Sequence, residues 1–201
     1  MSVYIHGGLR SPIGVLNGQY KHMRPEILGS QVIDEIINRY SISHIDGIFC
    51  GNAIGTGGNL GRLMGLMCNL PNSVPAITVD MQCASALMSI EIAYAHIVSG
   101  IMDSAIAGGI ESSSLQPERV YAFGDDREGA YKVAQFTPQD QSPLAMLEGA
   151  ERTIHKHNVT KEDLYPHIIG SHQRASAALD NPYLQSYIMP ITIDGKRCID
   201  E

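Results

Sequence analysis

A cysteine between an extended apolar segment and a helical one can be turned from packing material into a nucleophile. Cys83 holds that place in the run PAITVDMQCASALMSI over residues 75–90. Residues 76–80 are rich in β-branched side chains and follow Pro75, which is strand composition, whereas Ala84, Ala86, Leu87 and Met88 are strong helix formers. The pattern predicts that Cys83 opens a helix, where unpaired amides and the positive end of the helix dipole favour a thiolate. The competing reading is an inert thiol packed in a core, since free cysteine is among the most buried residue types. Position alone leaves both open, and the neighbouring motifs have to decide.

Those motifs need elements to carry them. The first 110 residues alternate short apolar runs with helical spacing, the pattern of a layered β-α-β sheet. Strands are predicted at residues 3–5, 45–50, 76–80 and 104–108. A helix is predicted from Pro25, where Ile27, Leu28, Val32, Ile33, Ile36, Ile37 and Tyr40 recur at helical intervals, and others at 62–69 and 83–98. After Glu111 the chain becomes polar and aperiodic, with Pro117, Gly124, Asp125, Asp126, Arg127, Gly129 and Pro138, as in an irregular surface insertion. Two further helices are predicted at about 143–157 and 161–178, the second capped by Thr160 with Glu162 and Asp163 in its first turn. An extended piece is expected at 188–193.

Composition narrows the function. A chain of 201 residues with 44% hydrophobic and 17% charged residues can bury one full core. The formal net charge of −7 and the lack of a basic run argue against a nucleic-acid surface. Cys50, Cys68, Cys83 and Cys198 show no C-x-x-C spacing, so neither a zinc site nor a disulfide framework is expected, and His155, His157, His167 and His172 are read as surface or helix-end residues. With no basic-then-apolar start and no apolar window near the roughly 18 residues of a membrane span, a cytoplasmic protein is expected. The turn at 55–61, GTGGNLG, fails the dinucleotide fingerprint because Leu60 occupies the place of its last glycine; a simple loop is the better reading. Arg62, just after it, is read as a surface or interface residue.

Four patterns stand in order at predicted strand ends: Arg10-Ser-Pro-Ile-Gly14, Gly51-Asn52, Gln82-Cys83-Ala-Ser-Ala86 and Ala107-Gly-Gly-Ile-Glu-Ser112. With Ser171-His-Gln-Arg-Ala175 further on, they make the chain resemble the N-terminal half of a thiolase, an acyl-CoA acyltransferase. The resemblance runs from about residue 3 to the end. It implies that Cys83 attacks an acyl-CoA thioester and carries the acyl group, and that its amide forms part of an oxyanion hole. The small residues Ala84 and Ala86 replace the family's more usual glycine or serine and leave less room for a pantetheine arm. Gly108 and Gly109 are read as permitting a tight turn beside the cysteine, where a Cβ would collide. Glu111 is read as an anchoring carboxylate that accepts backbone hydrogen bonds rather than a proton carrier. Met146 aligns with a family methionine on the coenzyme A arm, with core filler as the alternative, while Ala145 stands where the family has a histidine.

The resemblance implies an α/β layered fold of the thiolase type, with a mixed sheet flanked by helices. An N-terminal domain is expected over residues 1–111, lacking its closing strand, and a partial loop subdomain over 112–201. The implied chemistry is acyl transfer between coenzyme A thioesters, either condensation of two acetyl-CoA units or the thiolytic reverse, with coenzyme A as substrate and no cofactor or metal. The family's second half, which supplies an activating histidine and a second cysteine, is not matched. A second polypeptide bearing that half is therefore an expected partner, together with a homo-oligomer, dimer or tetramer, formed through the strand near residues 76–81. The alternatives are a truncated or non-catalytic thiolase-like subunit for coenzyme A binding, scaffolding or oligomerisation, and a ketoacyl synthase, which shares the fold and the cysteine.

Overall fold

The computed structural model describes residues 2–55, 58–131, 134, 135, 142 and 144–201. Three parts of the sequence-based reading lie outside these residues, namely Thr56 and Gly57 of the glycine-rich turn, Pro138 of the insertion and Pro143 at the start of the helix predicted over about 143–157. The chain forms two units: Met1–Pro117 with Ser186–Glu201, and Glu118–Gln185. The boundary therefore falls after Pro117 rather than at residue 111, and residues 186–201 belong to the first unit. They are held there by main-chain bonds from Arg10 to Tyr187 and from Met189 back to Arg10, and by a bidentate pair of Arg10 with Asp200 at 2.7 Å on both arms.

Helix α1 (Pro25–Arg39) begins at a proline, whose fixed φ and missing N–H suit a first turn. Strand β1 (Gly47–Gly51) follows and is buried throughout its length, as an apolar strand covered on both faces should be. Helix α2 (Leu60–Met67) leads to β2 (Ala76–Val79), and α3 (Ser85–Val98) leads to β3 (Ala105–Gly109). The sheet order is β2-β1-β3, and both ladders are parallel. The layered α/β fold with helices on its sheet is as expected, and among the described residues this three-stranded sheet is parallel, because each helical crossover returns the chain to the same end of the sheet.

Alternation along β1 separates the two faces. Ile48 and Cys50 pack with Ile33 of α1 and Met64 of α2, whereas Phe49 on the opposite face meets the ring of His96 in α3 at 5.0 Å. Helix α3 presents small residues, Ser85, Ser89 and Ala93, to the sheet and buries them. Its large apolar residues Leu87, Ile90, Tyr94 and Val98 recur at helical spacing and are exposed, Leu87 to 67%. Ser89 is completely buried and donates to the Gly108 carbonyl at 2.8 Å, tying α3 to β3.

Residues 3–5 do not form the predicted strand. Tyr4 and Ile5 are 84% and 89% exposed, and among the described residues no ladder reaches the outer edge of β3. An extended segment without a hydrogen-bonded neighbour is not a strand, whatever its β propensity. A cavity of about 430 Å³ lies beside that edge, walled by Ile13, Val15, Leu28, Val32 and Ile106.

In the second unit, β4 (Arg119–Val120) and β5 (Ala130–Tyr131) form a short antiparallel hairpin in the stretch expected to be irregular. Arg127 lies 4.2 Å over the Tyr121 ring, which stacks on Tyr131 at 4.3 Å. Helices α4 (Ala145–Lys156), α5 (Lys161–Leu179) and α6 (Pro182–Gln185) follow. The Thr160 cap of α5 is a full capping box, with Asp163 reaching back to the Thr160 N–H at 2.8 Å. In the tail of the first unit, β6 (Thr192–Ile193) pairs with β7 (Lys196–Arg197). No helix among the described residues is long and apolar enough to cross a membrane.

Two expectations follow for stability. A Cβ on Gly51 would lie 2.4 Å from the Ser85 carbonyl carbon, whereas one on Gly108 would meet nothing within 4 Å. Gly51→Ala should cost ~1–3 kcal/mol in denaturant unfolding, while Gly108→Ala should be neutral or slightly stabilising. At the entrance to β1, the Asp46 carboxylate is held down at about 2, first by the Asp103 N–H, then by the His44 ring and the Ser104 N–H. A carboxylate depressed in the folded state adds stability that is complete above its ordinary value near 3.8 and is lost as pH falls through 2. Thermal melts between pH 4 and 2 should show that loss in the wild type and a flatter profile in Asp46→Asn.

Candidate functional site

Strand β2 ends at Val79, a short 3-10 turn (Gln82–Ala84) follows, and α3 starts at Ser85. Cys83 lies within that turn, at the head of α3, and is exposed, whereas Cys50, Cys68 and Cys198 are buried. Burial pushes the Cys50 thiol up to about 11 and the Cys68 thiol up to about 12, which keeps both protonated at neutral pH. Cys83 is therefore the one of the four cysteines that a solvent-borne substrate can meet.

The turn is built by its own side chains. Gln82 has φ +53°, a left-handed conformation that costs a non-glycine residue free energy. The Asp80 carboxylate accepts the Gln82 N–H at 2.9 Å. The Ser85 hydroxyl accepts the Met81 N–H at 2.8 Å and donates to the Gln82 carbonyl at 2.6 Å. Neither Ser85 nor the conformation of Gln82 was singled out by the sequence reading, and a glutamine carries no signal for a left-handed φ.

Behind the turn, β1 and β3 end in glycines that stand opposite each other, Gly51 and Gly109. A Cβ on Gly109 would come 2.9 Å from that of Ala86, and one on Gly51 would strike the Ser85–Ala86 backbone, so both glycines admit the first turn of α3 against the sheet. The reading of Gly108 and Gly109 is corrected in two respects. Both belong to β3 rather than to a turn, and only Gly109 is sterically required. The importance of Gly51 was legible only as part of a motif, because its reason lies in the helix it faces.

Glu111, just beyond β3, takes the N–H groups of Ala53 and Ile54 at 2.9 and 2.8 Å and the Asn52 amide at 3.0 Å. Asn52 also donates to the Ile110 carbonyl at 2.8 Å. These bonds clamp the segment leaving β1 to the segment leaving β3, next to the glycine pair that seats α3. Arg62 is not a free surface residue; its guanidinium donates to the Val74 and Asn72 carbonyls at 2.6 and 2.7 Å and ties α2 to the approach to β2. Asn59 caps α2 by accepting the Arg62 N–H and holds β2 through the Ala76 carbonyl, so the described part of the glycine-rich turn is a structural loop.

Met146 belongs to the second unit, in the first turn of α4, and is 76% exposed. His155, His157, His167 and His172 are exposed on or beside α4 and α5.

The chain as a whole has counterparts among known proteins. The family model described as the N-terminal domain of thiolase matches residues 3–200. VraB of Staphylococcus aureus, named provisionally as an acetyl-CoA C-acetyltransferase, is 33% identical over 193 residues, covering 93% of this chain and 51% of its own length. VraB of Staphylococcus epidermidis, named in the same way, is 30% identical over 193 residues, covering 93% of this chain and 50% of its own length. The crystal structure of the Bacillus anthracis acetyl-CoA acetyltransferase is alike in fold, with a TM-score of 0.79 at 24% identity over 98% of this chain and 52% of that one. The chain spans about half the length of the curated relatives it matches. With the family model matched over nearly the whole sequence, the chain belongs to the thiolase family, in the region of that family's N-terminal domain.

Proposed function

We propose that this chain takes part in acyl transfer between coenzyme A thioesters, with Cys83 as the acyl carrier. The observation that carries the reading is the exposed Cys83 at the head of α3, in a thiolase-family chain whose other three cysteines are buried. The Cys83 thiolate adds to the thioester carbonyl carbon, and the carbon–sulfur bond to coenzyme A breaks. The leaving thiolate then takes up a proton, and an acetyl group remains on Cys83 as a new thioester. The backbone N–H of Cys83 is suited to the negative charge that develops on the carbonyl oxygen. In condensation, a second acetyl-CoA loses an α-proton to a base of the further unit, its carbanion adds to the acetyl carbon, and the bond to the Cys83 sulfur breaks. In the thiolytic direction Cys83 adds to the keto carbon of acetoacetyl-CoA, and the carbon–carbon bond breaks as the departing acetyl-CoA carbon takes a proton. The coenzyme A thiol then takes the acetyl group and frees Cys83.

Glu111 serves this scheme as an anchor. Its oxygens are engaged by the Ala53 and Ile54 amides and by Asn52, which leaves it a poor partner for a migrating proton. Met146 serves as a contact for the coenzyme A arm. The activating histidine and the second cysteine that the family resemblance assigns to a thiolase's other half come from a further folded unit. The exposed stripe Leu87, Ile90, Tyr94 and Val98 supports such a cover, because contiguous exposed apolar surface marks an interaction site. Homo-oligomers formed through the open edge of β2 belong to the same proposal.

Incubation with acetyl-CoA followed by intact-mass analysis tests the reading. A gain of about 42 Da that maps to Cys83 and disappears in Cys83→Ala is the expected result. No gain, with or without a polypeptide carrying the second half of a thiolase, rejects it. Glu111 is checked in the same assay. Glu111→Gln should acetylate within about threefold of wild type because its amide oxygen still accepts, whereas a proton-carrying role would cost roughly a hundredfold or more.

A further inference from the structure

We infer that Ser85 is a positioning residue for Cys83: its buried hydroxyl holds Gln82 in the left-handed region and so fixes the direction of the neighbouring sulfur. The inference rests on the reading of Cys83 as the acyl carrier. Three features converge on it.

First, Gln82 lies at φ +53°, a region that side chains with a Cβ avoid unless their surroundings impose it. Second, two of the three side-chain bonds that hold the turn run through Ser85, the third being the Asp80 carboxylate on the Gln82 N–H. A serine at a helix start ordinarily accepts from the N–H groups ahead of it, but here α3 has no side-chain cap. The Ser85 hydroxyl points backwards instead, accepting from Met81 and donating to Gln82, so it closes the loop around the residue in the costly conformation. Third, the hydroxyl has nowhere else to go. Ser85 is 5% exposed, and its backbone is backed by Gly51 so closely that an added Cβ there would overlap it. Relaxation of Gln82 to the right-handed region would rotate the peptide that joins it to Cys83 and swing the sulfur away from the head of α3.

A double-mutant cycle tests this, read by the rate at which iodoacetamide alkylates Cys83, with thermal melting as the stability control. Glycine tolerates positive φ, so Gln82→Gly removes the need for a clamp without changing the loop length. Ser85→Ala alone should slow alkylation about tenfold or more, and Ser85→Thr, which keeps the hydroxyl, should stay within about threefold of wild type. In the Gln82→Gly background, Ser85→Ala should change the rate less than about threefold. An equal effect in both backgrounds, or no effect in either, overturns the inference. If Ser85→Ala does not fold, a folded Gln82→Gly/Ser85→Ala variant with a near wild-type rate supports it, and failure of that variant to fold overturns it. If the variants show the coupling but the wild type takes no acetyl group from acetyl-CoA, the acyl-transfer reading is overturned and the positioning of Cys83 stays intact.

Discussion

The close approach of α3 to the parallel sheet governs this molecule. Two strand-end glycines, Gly51 and Gly109, face each other across the ladder between β1 and β3, and the first turn of the helix lies in the space that their missing side chains leave. Protein interiors do not tolerate overlaps of a few tenths of an ångström, so this contact fixes the helix in height and direction. The turn that carries Cys83 inherits its place from that fit. Ser89, shut away completely and bonded to the Gly108 carbonyl, holds the same helix one turn further along.

Around this contact the polar groups are used in a consistent way. Asp46 gathers amides at the entrance of the sheet, Glu111 gathers them at its exit, and Asn59 joins α2 to β2. Each carboxylate or amide satisfies main-chain donors that loops would otherwise leave to solvent. The loops at the strand ends are thereby made as definite as the strands, and exposed reactive groups depend on such definition.

Much of the architecture could be read from the sequence because it rests on local pattern. The apolar spacing after Pro25 gives α1, the β-branched run after Pro75 gives β2, and Thr160 with Asp163 marks the start of α5. The failures are non-local. Residues 3–5 have strand composition, yet strand formation depends on a neighbour that no single segment reveals. The tail 186–201 looked like part of the insertion because nothing in its composition tells that Asp200 meets Arg10. At the candidate site, Cys83 and the glycines were visible as motifs, but the steric division between Gly108 and Gly109 depends on what stands opposite each. Gln82 and Ser85 were silent, since a strained φ and a backward-pointing hydroxyl are properties of a closed turn.

The segregation of the thiols has a practical corollary for anyone handling the protein. Folded, it offers solvent a single sulfhydryl, while three more are sealed between the sheet, α2 and the returning tail. Each sealed thiol can be counted only after its own portion of the molecule has opened, so the sulfhydryl titre of a sample gauges how much of its population remains closed.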